Sequence, residues 1–248
     1  MKILVCISHV PDTTSKINFN ADLTAFDTTG VQFVINPHDE FALTRAVWFK
    51  EKQGAQIIAL TVGDSSVEPT LRKALAIGAD SAVRIDALPT DGFAVAEEIA
   101  HYAKNENFDL ILTGRESIDY NGGMVPGILA AKLDFSFVNS CVGIEIDNGI
   151  ATCKREIDGG TETLECTLPA VVAGQKGMVE EKDLKIPNMR GIMMARKKPL
   201  TVVQAQGADA KTAINSFEKP AAKAACKMVD ASNLDQLIDL LHNEAKVI

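Results

Sequence analysis

The chain has 248 residues, of which 46% are hydrophobic and 23% charged, an ordinary composition for a soluble globular protein. This length suffices for one large domain with a sizeable core, or for one domain with an appended arm. The formal net charge of −8 disfavours a nucleic-acid function, since such proteins need a basic surface to engage phosphates. No apolar run approaches the ~20 residues that span a bilayer, so we expect no membrane insertion.

The first half of the chain alternates between strand-like and helix-like segments. Apolar runs of strand length occur at residues 3–7, 31–35, 56–62, 81–85 and 109–113. Amphipathic segments of helix length lie between most of them. Near-continuous apolar strands between helices are typical of a parallel sheet covered on both faces, so the sequence predicts an α/β fold with a mostly parallel sheet.

Helix-end signals support the predicted helices. The first begins at Asn36, which can cap free N–H groups, and Pro37 suits the first helical position. The second ends at Gly78, a typical C-terminal cap. This second helix is predicted over about 67–77, and two further helices over about 93–104 and 123–133.

Beyond residue 135 the pattern becomes that of antiparallel hairpins. Residues 150–157 and 161–168 are rich in β-branched and aliphatic side chains, and Asp158-Gly159-Gly160 joins them. A second hairpin signal, Asp147-Asn148-Gly149, lies just upstream. The sequence therefore predicts a small antiparallel hairpin extension over 141–173. Four carboxylates in it are expected to face water instead of doing acid/base work: Glu156, Asp158, Glu162 and Glu165.

The last third of the chain is less regular. Residues 174–198 mix charge with four methionines and show little periodicity, which predicts a long surface loop with a binding task. A strand at 200–204 follows, and Ser232 is predicted to cap a final amphipathic helix. We therefore assign 1–204 to one α/β domain and 205–248 to a C-terminal arm whose helix packs on a partner.

The cysteines and histidines indicate neither a disulfide framework nor a metal site. The five cysteines show no CxxC spacing and mostly fall in predicted strands, where a thiol behaves as a small apolar group. They predict a reducing compartment and hence a cytoplasmic location. The four histidines show no metal-ligand spacing, and a Gly-x-Ser-x-Gly element is lacking. We expect no metal and no catalytic residue.

A nucleotide site is predicted at the carboxyl ends of the strands, where open α/β sheets bind ligands. Four strand ends are suitable, at Cys6, at 36–39, at Val62 and at 114–123. In the last of these, Gly122-Gly123 precedes a helix whose N–H groups and dipole would favour a phosphate. The alternative interpretation of the two glycines is a simple tight turn.

Several segments resemble the electron transfer flavoprotein β subunit. The strongest is Arg155–Ala173, and the others are Val10–Thr13, Leu71–Asp80 and Arg190–Pro199. The resemblance runs from residue 2 to about 204 and continues weakly through the arm. It implies a Rossmann-like, adenine nucleotide α-hydrolase-like fold and an electron carrier without catalytic residues of its own.

The resemblance also implies the cofactors. AMP would be a structural cofactor in this chain, held by loops resembling 36–39 and 114–119 with the small residues that follow, while an α subunit of the heterodimer would hold most of the FAD. The residues predicted to bind cofactor are Cys6, Asn36, Pro37, His38, Asp39, Val62, Gly114, Arg115, Ser117, Ile118, Asp119, Asn121, Gly122, Gly123, Met124 and Val125.

The partners implied by the resemblance are redox proteins. The heterodimer would take electrons from acyl-CoA dehydrogenases of fatty acid β-oxidation and from other dehydrogenases, and pass them to an electron transfer flavoprotein:quinone oxidoreductase. The family's loop that captures dehydrogenases matches 186–194, where flexible methionines suit varied partner surfaces. The residues predicted to contact partners are Ile186, Met189, Ile192 and Met193.

Some residues depart from the family pattern. His9 stands where Lys or Arg is usual, and Tyr120–Met124 replaces an acidic or Gln/Thr-containing loop, so phosphate contacts would come mainly from backbone N–H groups. In electron-bifurcating members a second FAD replaces AMP. Residues 11–14 and 36–39 favour that form, whereas 155–173 and the altered loop favour AMP, which is our prediction.

Two other functions fit the sequence less well. A stand-alone nucleotide-binding module would explain the α/β core but not the 174–198 segment or the final helix. An ATP-cleaving enzyme of this architecture would carry a Ser-Gly-Gly-x-Asp-Ser loop after the first strand, where this chain has Ser8-His-Val-Pro-Asp12.

Overall fold

The apolar runs form the centre of a nine-stranded sheet in the computed structural model, which describes residues 1–223 and 225–248. In chain order the strands are β1 (Lys2–Cys6), β2 (His9–Pro11), β3 (Phe33–Ile35), β4 (Gln56–Val62), β5 (Ser81–Asp86), β6 (Leu110–Gly114), β7 (Ser136–Asp147), β8 (Ile150–Ile157), β9 (Gly160–Thr167), β10 (Ala170–Gly174) and β11 (Leu200–Gln204). Their order across the large sheet is β11-β5-β4-β1-β6-β10-β7-β8-β9. The predicted α/β fold class is confirmed.

The large sheet has a parallel and an antiparallel part. Every neighbouring pair from β11 to β7 is parallel. The pairs β7–β8 and β8–β9 are antiparallel, as the two hairpin signals predicted. Since β7 pairs with both β10 and β8, the hairpin extension continues the main sheet directly.

The short strand at 31–35 was expected in the parallel sheet, and that prediction was wrong. Among the strands of the described residues, β3 pairs only with β2, as a separate two-stranded antiparallel sheet in which Val10 faces Val34. With three residues, two of them only partly buried, β3 lacks the continuous apolar burial of a central strand.

In the described residues, the first four of the six α-helices cover the two faces of the sheet. The six are α1 (Pro37–Gln53), α2 (Glu68–Ile77), α3 (Gly92–Ala103), α4 (Val125–Leu133), α5 (Met189–Ala195) and α6 (Leu234–Asp239). Side chains of α1 and α2, including Leu43, Phe49 and Leu75, form one buried cluster with the sheet. Ile99 of α3 and Leu129 of α4 belong to a second cluster. The core therefore has two layers with the sheet between them.

Two predictions in the last third of the chain need correction. Residues 174–198 are not a plain loop, because they contain a short 3₁₀ turn at Glu181–Asp183 and the helix α5. The cap of α6 is Asn233, whose side chain accepts the Gln236 N–H, and not Ser232. Ser232 instead bonds to Asp230.

The arm begins by running along the α/β body. Glu98 of α3 accepts the N–H groups of Gln206 and Ala208, each at 2.8 Å. Further along, Phe217 stacks on Phe19 with 4.6 Å between ring centroids. Residues 206–217 therefore pack on the α/β body of the same chain. The domain boundary at 204/205 stays a prediction. None of the helices in the described part of the chain combines the length and apolarity that a bilayer crossing requires.

Candidate functional site

A cavity of about 460 Å³ lies at the carboxyl ends of β1, β4 and β6. Its position is the one at which open α/β sheets bind ligands, and its volume falls in the range of small-molecule sites. The predicted cofactor residues that line it are Cys6, Asp39, Val62, Gly114, Ser117, Asp119, Gly122, Met124 and Val125. The predicted residues outside the lining are Asn36, Pro37, His38, Arg115, Ile118, Asn121 and Gly123.

Asn36 connects the start of α1 to the loop that follows β6. Its side chain donates to the Glu116 carbonyl at 2.9 Å and accepts the Ile118 N–H at 3.2 Å. Asn36 is the N-cap residue of α1 and Pro37 lies in its first turn, as predicted, but the Asn36 side chain makes no capping bond, so the predicted side-chain cap was wrong. The amide is fully buried and bonded to the loop after β6, which fixes that loop against the start of α1.

Asp39 joins three elements beneath the cavity. One carboxylate oxygen accepts the Ser8 N–H at the end of β1, and the other accepts the Gly114 N–H at the end of β6, both at 2.7 Å. Burial raises the pKa of Asp39 to about 7, although the two N–H bonds oppose the shift. Burial and the nearby Asp39 charge also raise the pKa of Cys6, so this thiol is neutral at physiological pH.

Gly114 is required by this close packing. A Cβ there would collide with the Asp39 carboxylate and would lie 2.6 Å from the His38 Cβ. Real carbon atoms do not approach so closely, and the Asp39 carboxylate is held in place by the Ser8 and Gly114 N–H groups. The glycine therefore allows α1 and β6 to meet under the cavity floor.

The segment after β6 folds into a closed turn. Ser117 and Gly122 exchange two backbone hydrogen bonds of 3.2 Å, and Asn121 adopts a positive φ of 49° between them. The Gly122 N–H is therefore already used, and α4 begins at Val125, two residues after the predicted Gly122-Gly123 opening. Val125 and Pro126 line the cavity, so the amino end of α4 faces it. Pro126 has no N–H, and the Ile128 N–H is bonded to the Met124 carbonyl. The first-turn donors are therefore the N–H groups of Val125 and Gly127.

The side chains that line the cavity are mostly neutral or acidic. The described lining contains no lysine or arginine. It contains four carboxylates, which belong to Asp39, Asp91, Glu116 and Asp119. His9 lies 2.8 Å from the Thr70 hydroxyl and stacks on Phe33, and burial lowers its pKa. An anionic group bound here would therefore depend on backbone N–H groups and hydroxyls.

Sequence reasoning missed one wall of the cavity. Residues 89–92, at the start of α3, line it, and so does Ile214 from the arm. Asp91 could have been found, because Asp before a helix-length segment at a strand end is a capping signal. Ile214 gives no such signal, since it lies in a polar, alanine-rich stretch far along the chain.

A second candidate surface is formed by α5 and the residues before it. The predicted partner residues are exposed, with relative exposures of 79% for Ile186, 76% for Met189, 42% for Ile192 and 67% for Met193. Asn188 caps α5 by accepting the Gly191 N–H at 2.8 Å. Arg72 of α2 donates to the carbonyls of Ala195 and Lys198, which fixes the other end. We call Ile186, Met189, Ile192 and Met193 the α5 apolar surface.

The fold and the cavity define an open α/β protein with a small-molecule cavity at the carboxyl edge of its sheet. Comparison with known proteins identifies the family: a family model of the electron transfer flavoprotein domain matches residues 24–208. The chain belongs to the electron transfer flavoprotein family, in its β-subunit branch. Family membership makes the chain an electron-carrier subunit, and the resemblance noted in the sequence is confirmed.

The similar proteins match this chain over nearly its whole length. The electron transfer flavoprotein subunit beta of Bacillus subtilis strain 168 is 35% identical over 100% of both chains. The protein of the same name from Syntrophomonas wolfei is 36% identical over 100% of this chain and 98% of its own. The one from Homo sapiens is 32% identical over 94% of each.

Proposed function

We propose that the chain is the β subunit of a heterodimeric electron transfer flavoprotein, that its cavity holds AMP as a structural nucleotide, and that an α subunit carries the FAD. The observation that carries this proposal is the cavity at the carboxyl edge of the sheet in a chain of this family. The heterodimer would accept electrons from acyl-CoA and other dehydrogenases and pass them to a quinone oxidoreductase.

The cavity fits an adenine nucleotide in shape and chemistry. Val62, Val95 and Ile99 give it apolar walls suited to a flat base. The amino end of α4 supplies a favourable dipole and the N–H groups of Val125 and Gly127 for a phosphate. Because the described lining has no lysine or arginine, one phosphate suits the cavity better than a longer anionic chain. AMP is also less than half the size of FAD, and the volume of about 460 Å³ favours the smaller ligand.

The α5 apolar surface supports a docking role. It exposes methionine and isoleucine side chains on a helix that is fixed to α2, so it can act as an anchor for a partner. FAD in the α subunit supplies the redox chemistry, and this chain contributes the docking surface and the nucleotide scaffold. The side chain of Met189 adapts to differently shaped pockets because of its flexible thioether.

The test is to identify the nucleotides of the assembled protein. The chain is co-expressed with the α-like gene product, the purified complex is denatured, and the released nucleotides are separated by chromatography. One FAD and one AMP per heterodimer is the expected result. Two FAD per heterodimer would replace our proposal with the electron-bifurcating alternative, and ATP with turnover would overturn both.

A further inference from the structure

The first part of the arm crosses the chain beside the cavity and is held at several points. Glu98 accepts the N–H groups of Gln206 and Ala208. Asp91 accepts those of Lys211 and Thr212, at 2.6 and 2.8 Å. These acceptors are carboxylates, whose hydrogen bonds are stronger than those between neutral groups.

Asp91 performs two tasks with its two oxygens. Oδ1 accepts the Ala94 N–H at 2.7 Å and so caps α3. Oδ2 accepts the two arm N–H groups, and the Thr212 hydroxyl also lies 3.2 Å from it. Capping alone needs only one oxygen. The second oxygen therefore couples the start of α3, which lines the cavity, to the arm.

The outer end of this segment is also anchored. The Phe217 N–H donates to the Leu23 carbonyl at 2.7 Å, and its ring stacks on Phe19. Between the two anchored ends lies Ile214, which lines the cavity although it is half exposed. The segment 206–217 is therefore fixed at both ends, with an apolar side chain turned to the cavity in the middle.

We propose that residues 206–217 form a strap that retains the nucleotide, with Ile214 as a wall of its site and with Asp91 and Glu98 as positioning residues that hold the strap in place. This inference rests on the proposed function, because it needs AMP in the cavity. By thermodynamic reciprocity, a nucleotide that contacts Ile214 stabilises the docked strap by the same factor by which the docked strap increases nucleotide affinity.

The strap is tested in the assembled heterodimer by releasing it from the body. Asp91→Ser keeps an oxygen to cap α3 but lacks the second oxygen, and combining it with Glu98→Gln removes one more acceptor. AMP should then dissociate about tenfold faster or more, since at least two charge-assisted hydrogen bonds are lost. Amide hydrogen exchange of 206–212 should accelerate, and AMP should no longer slow it. The matched control is Asp230→Ser, which changes an arm aspartate bonded to Ser232, outside the strap.

A second variant guards against damage to α3. Thr212→Pro removes the strap's N–H and hydroxyl while leaving Asp91 and its cap unchanged, and it should also speed AMP release. Ile214→Ala should speed release and reduce the slowing of strap hydrogen exchange by AMP, while exchange measured without AMP stays as in the wild type. If wild-type protein binds AMP but all three changes leave its release rate unaltered, the strap is refuted and the proposed function stands. If the wild-type heterodimer contains no AMP, both are refuted.

Discussion

Asp39 is a carboxylate with a structural role in the site, since its oxygens accept backbone N–H groups. It accepts N–H groups from the ends of two parallel strands, and its own backbone lies in the first turn of α1. The same burial that gives it this position raises its pKa to about 7, from about 3.9 in an unfolded chain. Stability must therefore depend on the protonation of Asp39.

The pH dependence has a definite sign. Between about pH 4 and pH 7 the folded state holds the Asp39 proton more tightly than the unfolded state, so this group's contribution to the free energy of unfolding falls as pH rises. Above pH 7 it is constant. We expect the stability difference between wild type and Asp39→Asn to decrease from pH 4 to pH 7 and then level off, by urea denaturation at each pH. A constant difference over that range would contradict the raised pKa.

The Gly114 packing gives a second prediction at the residue scale. In Gly114→Ala the new methyl group would collide with Asp39 and His38, so we expect a loss of about 1–3 kcal/mol in unfolding free energy, as in other overpacked sites. The control is Gly160→Ala, where a Cβ would meet no atom within 4 Å. Urea denaturation of both variants measures the effect, and equal losses would show that the close approach is unimportant.

At the scale of elements, α5 presents its apolar side chains outward instead of burying them. Gly191 lies so close to the Ala76 carbonyl that a Cβ would collide with it, and Asn188 caps the first turn. These contacts fix the helix to α2 while the α5 apolar surface remains open. An exposed apolar patch on a fixed helix is typical of a surface for another protein.

Charge placed on this surface should disturb docking alone. In the proposed role, Met189→Glu with Ile186→Glu weakens the complex with an acyl-CoA dehydrogenase, because two carboxylates would have to be buried on docking. We expect the rate of electron transfer at low dehydrogenase concentration to fall at least about tenfold, with unchanged flavin content. Ile17→Glu, at a half-exposed site in the loop between β2 and β3, is the control. Unchanged kinetics in the double variant would refute the anchor.

Elements with local signals were predictable from the sequence. Continuous apolar runs located β1, β4, β5 and β6, and the Asp-Gly-Gly and Asp-Asn-Gly turns located both hairpins. α5 was missed because seven residues are too few to show a helical period, and its stability comes from its cap and from α2. The role of Asn36 was misjudged for a similar reason, since its partners Glu116 and Ile118 are far along the chain.

Some residues of the candidate site could likewise be predicted from the sequence, and others could not. Strand ends could be read from the sequence because the parallel topology places them at one edge, and several of the residues found there do line the cavity. Asp91 and Glu98 could not be assigned their strap contacts, because these join residues more than 100 positions apart. Long-range contacts of this kind leave no periodicity in the chain.

At the scale of the whole molecule, the arm has two parts with different contacts. Residues 206–219 bond to the body, as in the 2.7 Å bond from Lys219 to Asn18. Among the described residues from 225 on, the side-chain hydrogen bonds join positions within that same stretch, such as Lys227 with Glu244. α6 exposes Leu234, Leu237 and Ile238, at 62%, 41% and 56%. In the proposed heterodimer, this second part is the one available to the α subunit.

Removal of residues 221–248 should therefore separate assembly from folding. We expect the shortened chain to keep its thermal midpoint within about 2 °C, since the hydrogen bonds, ion pairs and core clusters described for the α/β body include none of these residues. We also expect it to fail to form a stable heterodimer with the α subunit, as followed by size-exclusion chromatography after co-expression. Normal heterodimer yield would show that the outer arm is not a subunit contact.

Because α5 is fixed to α2, the distance between the cavity and the α5 apolar surface is fixed. α2 begins next to Val67, which lines the cavity, and carries α5 near its other end, at Ala76. Its 10 residues measure about 15 Å at 1.5 Å per residue. In the proposed heterodimer, a dehydrogenase bound to the α5 apolar surface would be held at a constant offset from the nucleotide, so the approach of the flavin would come from motion of the α subunit.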